Sequence, residues 1–251
     1  MSALALATRG LSKSFGSLTV ASNIEIALPL GARYALIGPN GAGKTTLINM
    51  MTGMLAPDTG AIVLNGEDIT RLAPQHRVRR GLTRTFQINQ LFANLTALEA
   101  VTLAIAERQR FSNVWWRTLP AYREAIEEAD AILGSLHFGT DRDRTTRELP
   151  YGRQRLLEIA LALATKPRVL LLDEPAAGVP KDESAELFNA ISTLPADITV
   201  LFIEHDMDLV FRFATRIIVL VAGAVLLEGT PAEIGSDSRV REVYLGGAHH
   251  G

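Results

Sequence analysis

Apolar residues recur along this chain with two different spacings. Four short runs, Tyr34-Ala35-Leu36-Ile37, Val169-Leu170-Leu171-Leu172, Thr199-Val200-Leu201-Phe202-Ile203 and Ile217-Ile218-Val219-Leu220, carry almost no polar alternates. Such runs predict strands buried on both faces, as in a parallel sheet. Leu47, Ile48, Met50, Met51, Met54 and Leu55 follow the first run at helical spacing, and a second amphipathic helix is predicted from Glu183 to Leu194. Between Leu4 and Leu30, short apolar segments alternate with turn residues, as in Leu11 to Gly16 and Ile24 to Pro29, and predict antiparallel strands. The turn Pro57-Asp58-Thr59-Gly60 leads into a further strand with a tight end, Ala61 to Gly66, and Ala224 to Leu227 predicts an edge hairpin. From Thr96 to about Thr165 the pattern turns helical, through Leu98, Val101, Leu103 and Ile105, then Tyr122 to Leu136, then Arg153 to Ala164.

The predicted class is therefore α/β: a mostly parallel sheet, an N-terminal antiparallel β subdomain and an inserted helical subdomain. The expected organisation is one domain over residues 1–251. Its α/β core spans 1–95 and 166–235, the helical insertion 96–165 and a tail 236–251.

With 251 residues and 47% apolar content the chain can bury a full core. A net charge of -2 with both signs interspersed gives no bulk attraction to nucleic acid, and the absence of cysteine excludes disulfides and thiolate chemistry. The first nine residues lack the basic start and apolar core of a signal peptide, and we expect a first strand there. The apolar stretch Ile217 to Leu227 is too short to cross a bilayer, which needs about 20 residues. Mean hydropathy is nonetheless +0.16, which leaves room for an apolar surface that docks on a partner.

The most informative stretch is Gly38-Pro39-Asn40-Gly41-Ala42-Gly43-Lys44-Thr45-Thr46, set between a predicted strand and a predicted helix. Its glycines let backbone N–H groups turn onto an anion, and the helix start adds positive potential. Lys44 suits the outer phosphates of a nucleotide and the Thr45 hydroxyl a magnesium ion, which makes the α/β part a P-loop NTPase core. Asp173-Glu174-Pro175 closes a buried run, where ligands of parallel sheets bind. There Asp173 suits the magnesium hydration shell and Glu174 a water beside the γ-phosphate. Ile203-Glu204-His205-Asp206 repeats the placement one strand on, giving His205 a role in holding that water and stabilising charge. Gln87, at the junction with the helical insertion, is a further candidate for magnesium or water.

Other features have two readings. Phe15, before Gly16, is either a core aromatic or a ring for a purine. Arg77, Arg79, Arg80 and Arg84 form a basic patch, read first as a solvated face and second as a partner or lipid-headgroup contact. Trp115 and Trp116 pack locally or anchor an interface, and His249 and His250 are tail residues, not metal ligands.

The phosphate loop, Gln87, Leu149-Pro150-Tyr151-Gly152-Arg153-Gln154, Val169 to Pro175 and His205, in this order, resemble an ATP-binding-cassette (ABC) ATPase over essentially the whole chain. More narrowly, Thr83-Arg84-Thr85-Phe86-Gln87, Tyr151-Gly152, Asp173 to Gly178, Glu204-His205-Asp206-Met207 and Tyr244-Leu245-Gly246 are similar to the ATPase subunits of branched-chain amino acid importers. The resemblance implies bound ATP and Mg2+, and a pair of cassettes, homo- or heterodimeric. Each ATP would lie between one chain's phosphate loop and the other's signature segment, here Tyr151, Gly152 and Arg153. It also implies permease subunits in the membrane, a solute-binding protein acting indirectly, no nucleic-acid partner, and a peripheral position on the cytoplasmic face of the inner membrane. Phe15 becomes the adenine-stacking residue. The usual signature is Leu-Ser-Gly-Gly-Gln; Pro150 supplies neither its hydroxyl nor an N–H, Tyr151 replaces its glycine and Arg153 its glutamine. Pro180 stands where aspartate or asparagine is usual. A heterodimer whose partner carries the stronger signature would fit these departures. A lipid-type exporter ATPase and a weakly hydrolysing nucleotide sensor are the alternative functions. A GTPase is disfavoured by the missing Asn-Lys-x-Asp motif, and an ABC protein of repair or translation by the single cassette without a long coiled coil.

Overall fold

The computed structural model describes residues 3–85, 93–109 and 119–245. Two compact units result: Met1–Arg84, Arg168–Pro175 and Pro195–Gly251 in the first, Thr85–Pro167 and Ala176–Leu194 in the second.

In the first unit, β1 (Leu4–Phe15) and β2 (Leu18–Pro29) form a long antiparallel hairpin. With β4 (Thr59–Leu64) and β5 (Glu67–Asp68) they make a sheet of order β2-β1-β4-β5. The second sheet has the order β10-β9-β3-β8-β7-β6. It contains β3 (Arg33–Ile37), β6 (Leu82–Arg84), β7 (Val169–Asp173), β8 (Thr199–Ile203), β9 (Arg216–Val221) and β10 (Ala224–Gly229). Its neighbours run parallel except for the β9–β10 hairpin at the edge. The four solid apolar runs are thus β3, β7, β8 and β9, buried as their composition requires.

Helix α1 (Lys44–Thr52) joins one core to both sheets. Leu47, Ile48, Met50 and Met51 cluster with Leu6, Ile24, Leu28 and Ile62 from the antiparallel sheet and with Leu36, Leu171, Leu201 and Ile218 from the parallel one. At roughly 25 cal/mol per Å2, those four side chains each contribute about 1.5–3 kcal/mol of burial, which anchors the helix in the core.

The basic patch does not exist as one surface. Arg77, on α2 (Pro74–Arg79), is 2% exposed and donates to the carbonyls of Met50, Met51, Thr70 and Leu72. Arg80 pairs with Glu67 at 2.9 Å on the surface, and Arg84 turns inward. The solvated-face reading fails for Arg77 because the carbonyls ending α1 need donors, and a planar guanidinium serves several at once.

The second unit is helical: α3 (Ala97–Arg108), α4 (Leu119–Ser135), α5 (Tyr151–Ala164) and α6 (Lys181–Ser192). Thr96 and Glu99 close a reciprocal capping box at the start of α3. Val101, Ile105, Ala125, Ala129, Leu133 and Phe138 are buried here. Helix α6 clusters with this unit although its flanking strands β7 and β8 belong to the first. The chain continues beyond β8 through α7 (Met207–Phe213), α8 (Pro231–Ser236) and α9 (Ser238–Leu245), all in the first unit.

Candidate active site

The loop of residues 38–43 leaves the end of β3 and enters α1 at Gly43, which has φ 98°. A side chain at Gly43 would collide with the Val20 carbonyl, so glycine is required on both counts. The β9–β10 turn braces the loop from behind, with Gly223 N–H donating to the Ala42 carbonyl at 3.0 Å. Thr45 lies exposed on the first turn of α1, and Asn40 and Gly41 are also open to solvent.

Lys44 is 7% exposed and its Nζ donates to the carbonyls of Gly38 at 2.7 Å and Pro39 at 3.1 Å. Burial pulls its ammonium below the ordinary lysine range, while Glu174 and Asp173 push it back up. A buried ammonium at the start of a helix, with its glycine loop turned to solvent, is an environment for a polyanion.

At the end of β7 the backbone of Glu174 is in the left-handed region, with φ 50°. A non-glycine residue held there stores strain of about 1–3 kcal/mol, and such residues concentrate at functional sites. Glu174 N–H is fixed to the Ile203 carbonyl at 3.1 Å, and its Oε1 lies 2.8 Å from His205 Nε2. A carboxylate anion only accepts, so in the ionised form of Glu174 this contact takes its proton from Nε2. Both side chains are half exposed, leaving the carboxylate reachable by water.

Asp173 meets a partner that sequence spacing did not single out. Its Oδ2 accepts from Arg84 Nη2 at 2.5 Å, and Arg84 Nη1 donates to Asn49 Oδ1 at 2.7 Å. Asn49 lies four residues after Thr45 on α1, and β6 is the parallel neighbour of β7. That helical offset, together with an arginine at the end of the short strand Leu82–Arg84, was the available signal. The hard oxygens of Thr45 and Asp173 suit magnesium, which keeps several waters and takes its remaining ligands from nucleotide phosphates. Among the described residues no three His, Asp or Glu side chains are grouped to hold a metal by themselves.

Phe15 is 53% exposed at the tip of the β1–β2 hairpin, with Lys13 Nζ 5.6 Å from its ring centroid. It is not a core residue, and its ring is available to a ligand. Gln87 lies outside the described residues, as do Phe86, Trp115, Trp116 and Gly246 to His250.

The signature segment belongs to the second unit. Pro150 precedes α5 and makes no side-chain cap, and Gln154 N–H donates to the Pro150 carbonyl at 3.0 Å. Tyr151 accepts from Arg155 Nη2 at 2.7 Å, and Arg155 is buried against Glu158. A side chain at Gly152 would strike the Glu183 carboxylate. Arg153 is engaged within its own unit: it pairs with Asp141 at 3.3 Å, donates to the His137 carbonyl at 3.0 Å and covers the Phe138 ring.

Strand, phosphate loop, helix and a pair of acidic strand ends define a P-loop nucleotide-binding protein. The sequence pattern of the ABC transporter family matches residues 21–177, and that of the branched-chain amino acid ATP-binding cassette transporters matches 224–250. The chain is 40% identical to the high-affinity branched-chain amino acid transport ATP-binding protein BraF of Pseudomonas aeruginosa, over 99% of this chain and 100% of that protein. It is 38% identical to LivG of Escherichia coli K12, a protein of the same description, again over 99% and 100%. Among solved structures, an ATP-binding cassette of an ABC transporter in its ADP conformation superposes with a TM-score of 0.86 at 33% identity, covering 98% of this chain and all of the other. The chain belongs to the ABC transporter family of ATP-binding cassettes. No helix among the described residues is long and apolar enough to cross a membrane.

Proposed function

We propose that this chain is the ATP-hydrolysing subunit of an importer for branched-chain amino acids, working with a second cassette and with separate membrane permease subunits against the cytoplasmic face of the membrane. The observation that carries the chemistry is the Glu174–His205 pair at 2.8 Å on a strained backbone beside the buried Lys44. The transported solute rests on the likeness to BraF and LivG along their full length.

In this reading the N–H groups of residues 38–46 and Lys44 hold the phosphates, and Phe15 stacks on adenine. Thr45 and Asp173 hold magnesium, with Gln87 as a further ligand; the cation would neutralise charge on the β- and γ-phosphates. Glu174 takes the proton of the attacking water. His205 donates from Nε2, orienting that carboxylate while the γ-phosphate charge develops. Tyr151, Gly152 and the start of α5 face the nucleotide of the second cassette. Arg153 reaches it only by giving up Asp141 and His137, which supports a heterodimer in which the partner supplies the stronger signature.

Glu174→Gln tests the reading. Turnover should fall about a hundred- to ten-thousand-fold while ATP binding persists; unchanged hydrolysis would refute the assignment. Weak ATPase activity of the chain alone, restored by a second cassette subunit, is the corresponding result for the heterodimer, and a fully active homodimer would exclude it.

A further inference from the structure

We propose that Arg84 is the counter-cation of Asp173 in the metal-free site, and that it sets how tightly magnesium is taken up with the nucleotide. The inference rests on the reading of Asp173 as the residue that holds the hydration shell of magnesium.

Three features single out Arg84. It approaches the acidic strand end directly, with Nη2 2.5 Å from Asp173 Oδ2. It is tethered at a second point, with Nη1 on Asn49 Oδ1 at 2.7 Å, and so cannot swing away without breaking a further hydrogen bond. Both charged side chains are largely enclosed, at 15% and 21% exposure, where a charge pair is screened far less than on an open surface. Strand β6 delivers the guanidinium from the neighbouring strand, and Asn49 sits one helical turn beyond Thr45. Arg84 therefore links the two elements expected to contact the cation, the first helix and the end of β7.

The electrostatic consequence has a definite sign. Asp173 attracts a divalent cation through intervening water, so its contribution is mainly its net charge. A fixed guanidinium on one carboxylate oxygen cancels much of that charge and itself repels the cation. Arg84 thereby weakens magnesium uptake and keeps Asp173 compensated when no metal is bound. Lys44 carries a second positive charge nearby, but its Nζ is held by the loop carbonyls of Gly38 and Pro39.

The test is a magnesium titration of fluorescent ADP binding to the full chain, with ADP affinity in EDTA as the control. Arg84→Met should lower the magnesium concentration at half-saturation about three- to tenfold and leave metal-free ADP affinity within twofold. Arg84→Lys, which keeps the charge and loses the fork, should stay within twofold of the parent. Weakened or unchanged magnesium dependence in Arg84→Met would overturn the inference, as would tightening in Arg84→Lys equal to that in Arg84→Met. Arg84→Gln carries the same expectation if the methionine variant does not fold. Asp173→Asn separates the two readings. It should weaken magnesium dependence, and if it does not, the metal assignment itself fails, whatever Arg84 does.

Discussion

Arg77→Met is the perturbation whose cost can be worked most directly from the structure. The parent guanidinium makes four hydrogen bonds of 2.7 to 2.9 Å to the carbonyls of Met50, Met51, Thr70 and Leu72. Met50 retains a donor in Gly53 N–H, so the variant deprives chiefly Met51, Thr70 and Leu72. A buried acceptor left without its donor costs about 1–3 kcal/mol, and removing the desolvation penalty of a buried cation returns several kcal/mol. Three such acceptors cost about 3–9 kcal/mol, and the returned desolvation leaves a net loss of about 1–5 kcal/mol, the size expected when a buried hydrogen-bond network is broken. Arg77→Lys should recover part of it, since an ammonium has three donors but no planar fork. Urea unfolding followed by far-UV circular dichroism gives the global loss. Release of fluorescent ADP in the same titration reports on the unit that carries α1. A loss below about 1 kcal/mol in Arg77→Met, or a lysine variant as weak as the methionine one, would refute the reasoning.

Two further outcomes are expected. Lys44→Ala removes a buried charged donor from the phosphate loop and should weaken ATP and ADP binding about ten- to a hundredfold, read by equilibrium titration, with secondary structure unchanged. In the second unit, the Arg108 guanidinium holds the Glu128 carboxyl below its ordinary value of 4.5, through hydrogen bonds of 2.8 and 2.7 Å that outweigh the opposing effect of burial. A depressed folded-state value stabilises above the unfolded one, and that stability is lost as pH falls through the folded value. Glu128→Gln should therefore be less stable than the parent by about 1 kcal/mol at pH 7, with the gap closing below pH 4.5, as measured by urea unfolding across that range.

Much of the site was legible because its chemistry constrains contiguous residues. The phosphate loop needs glycines at given offsets between a strand and a helix, and Asp173 and Glu174 need only follow a buried run. Periodicity located α5 and α6 to within a few residues: Arg153 to Ala164 forms as Tyr151–Ala164, and Glu183 to Leu194 as Lys181–Ser192. The basic patch was misread because charge along a sequence carries no information on depth. Arg77 is buried against carbonyls near the end of a helix, that of Met51 lying 26 residues upstream, and Arg84 turns to a carboxylate 89 residues away.

The sequence by itself determined the sheet class, the phosphate loop and the acidic strand ends, because each rests on local periodicity or on backbone conformations that few residues adopt. Only the tertiary structure decided that Phe15 is exposed, that His205 meets Glu174, that Arg153 is held by Asp141 and that Arg84 bridges Asn49 and Asp173. Those outcomes depend on which distant strands and helices become neighbours, a choice made by burial of the whole core and not by any one segment.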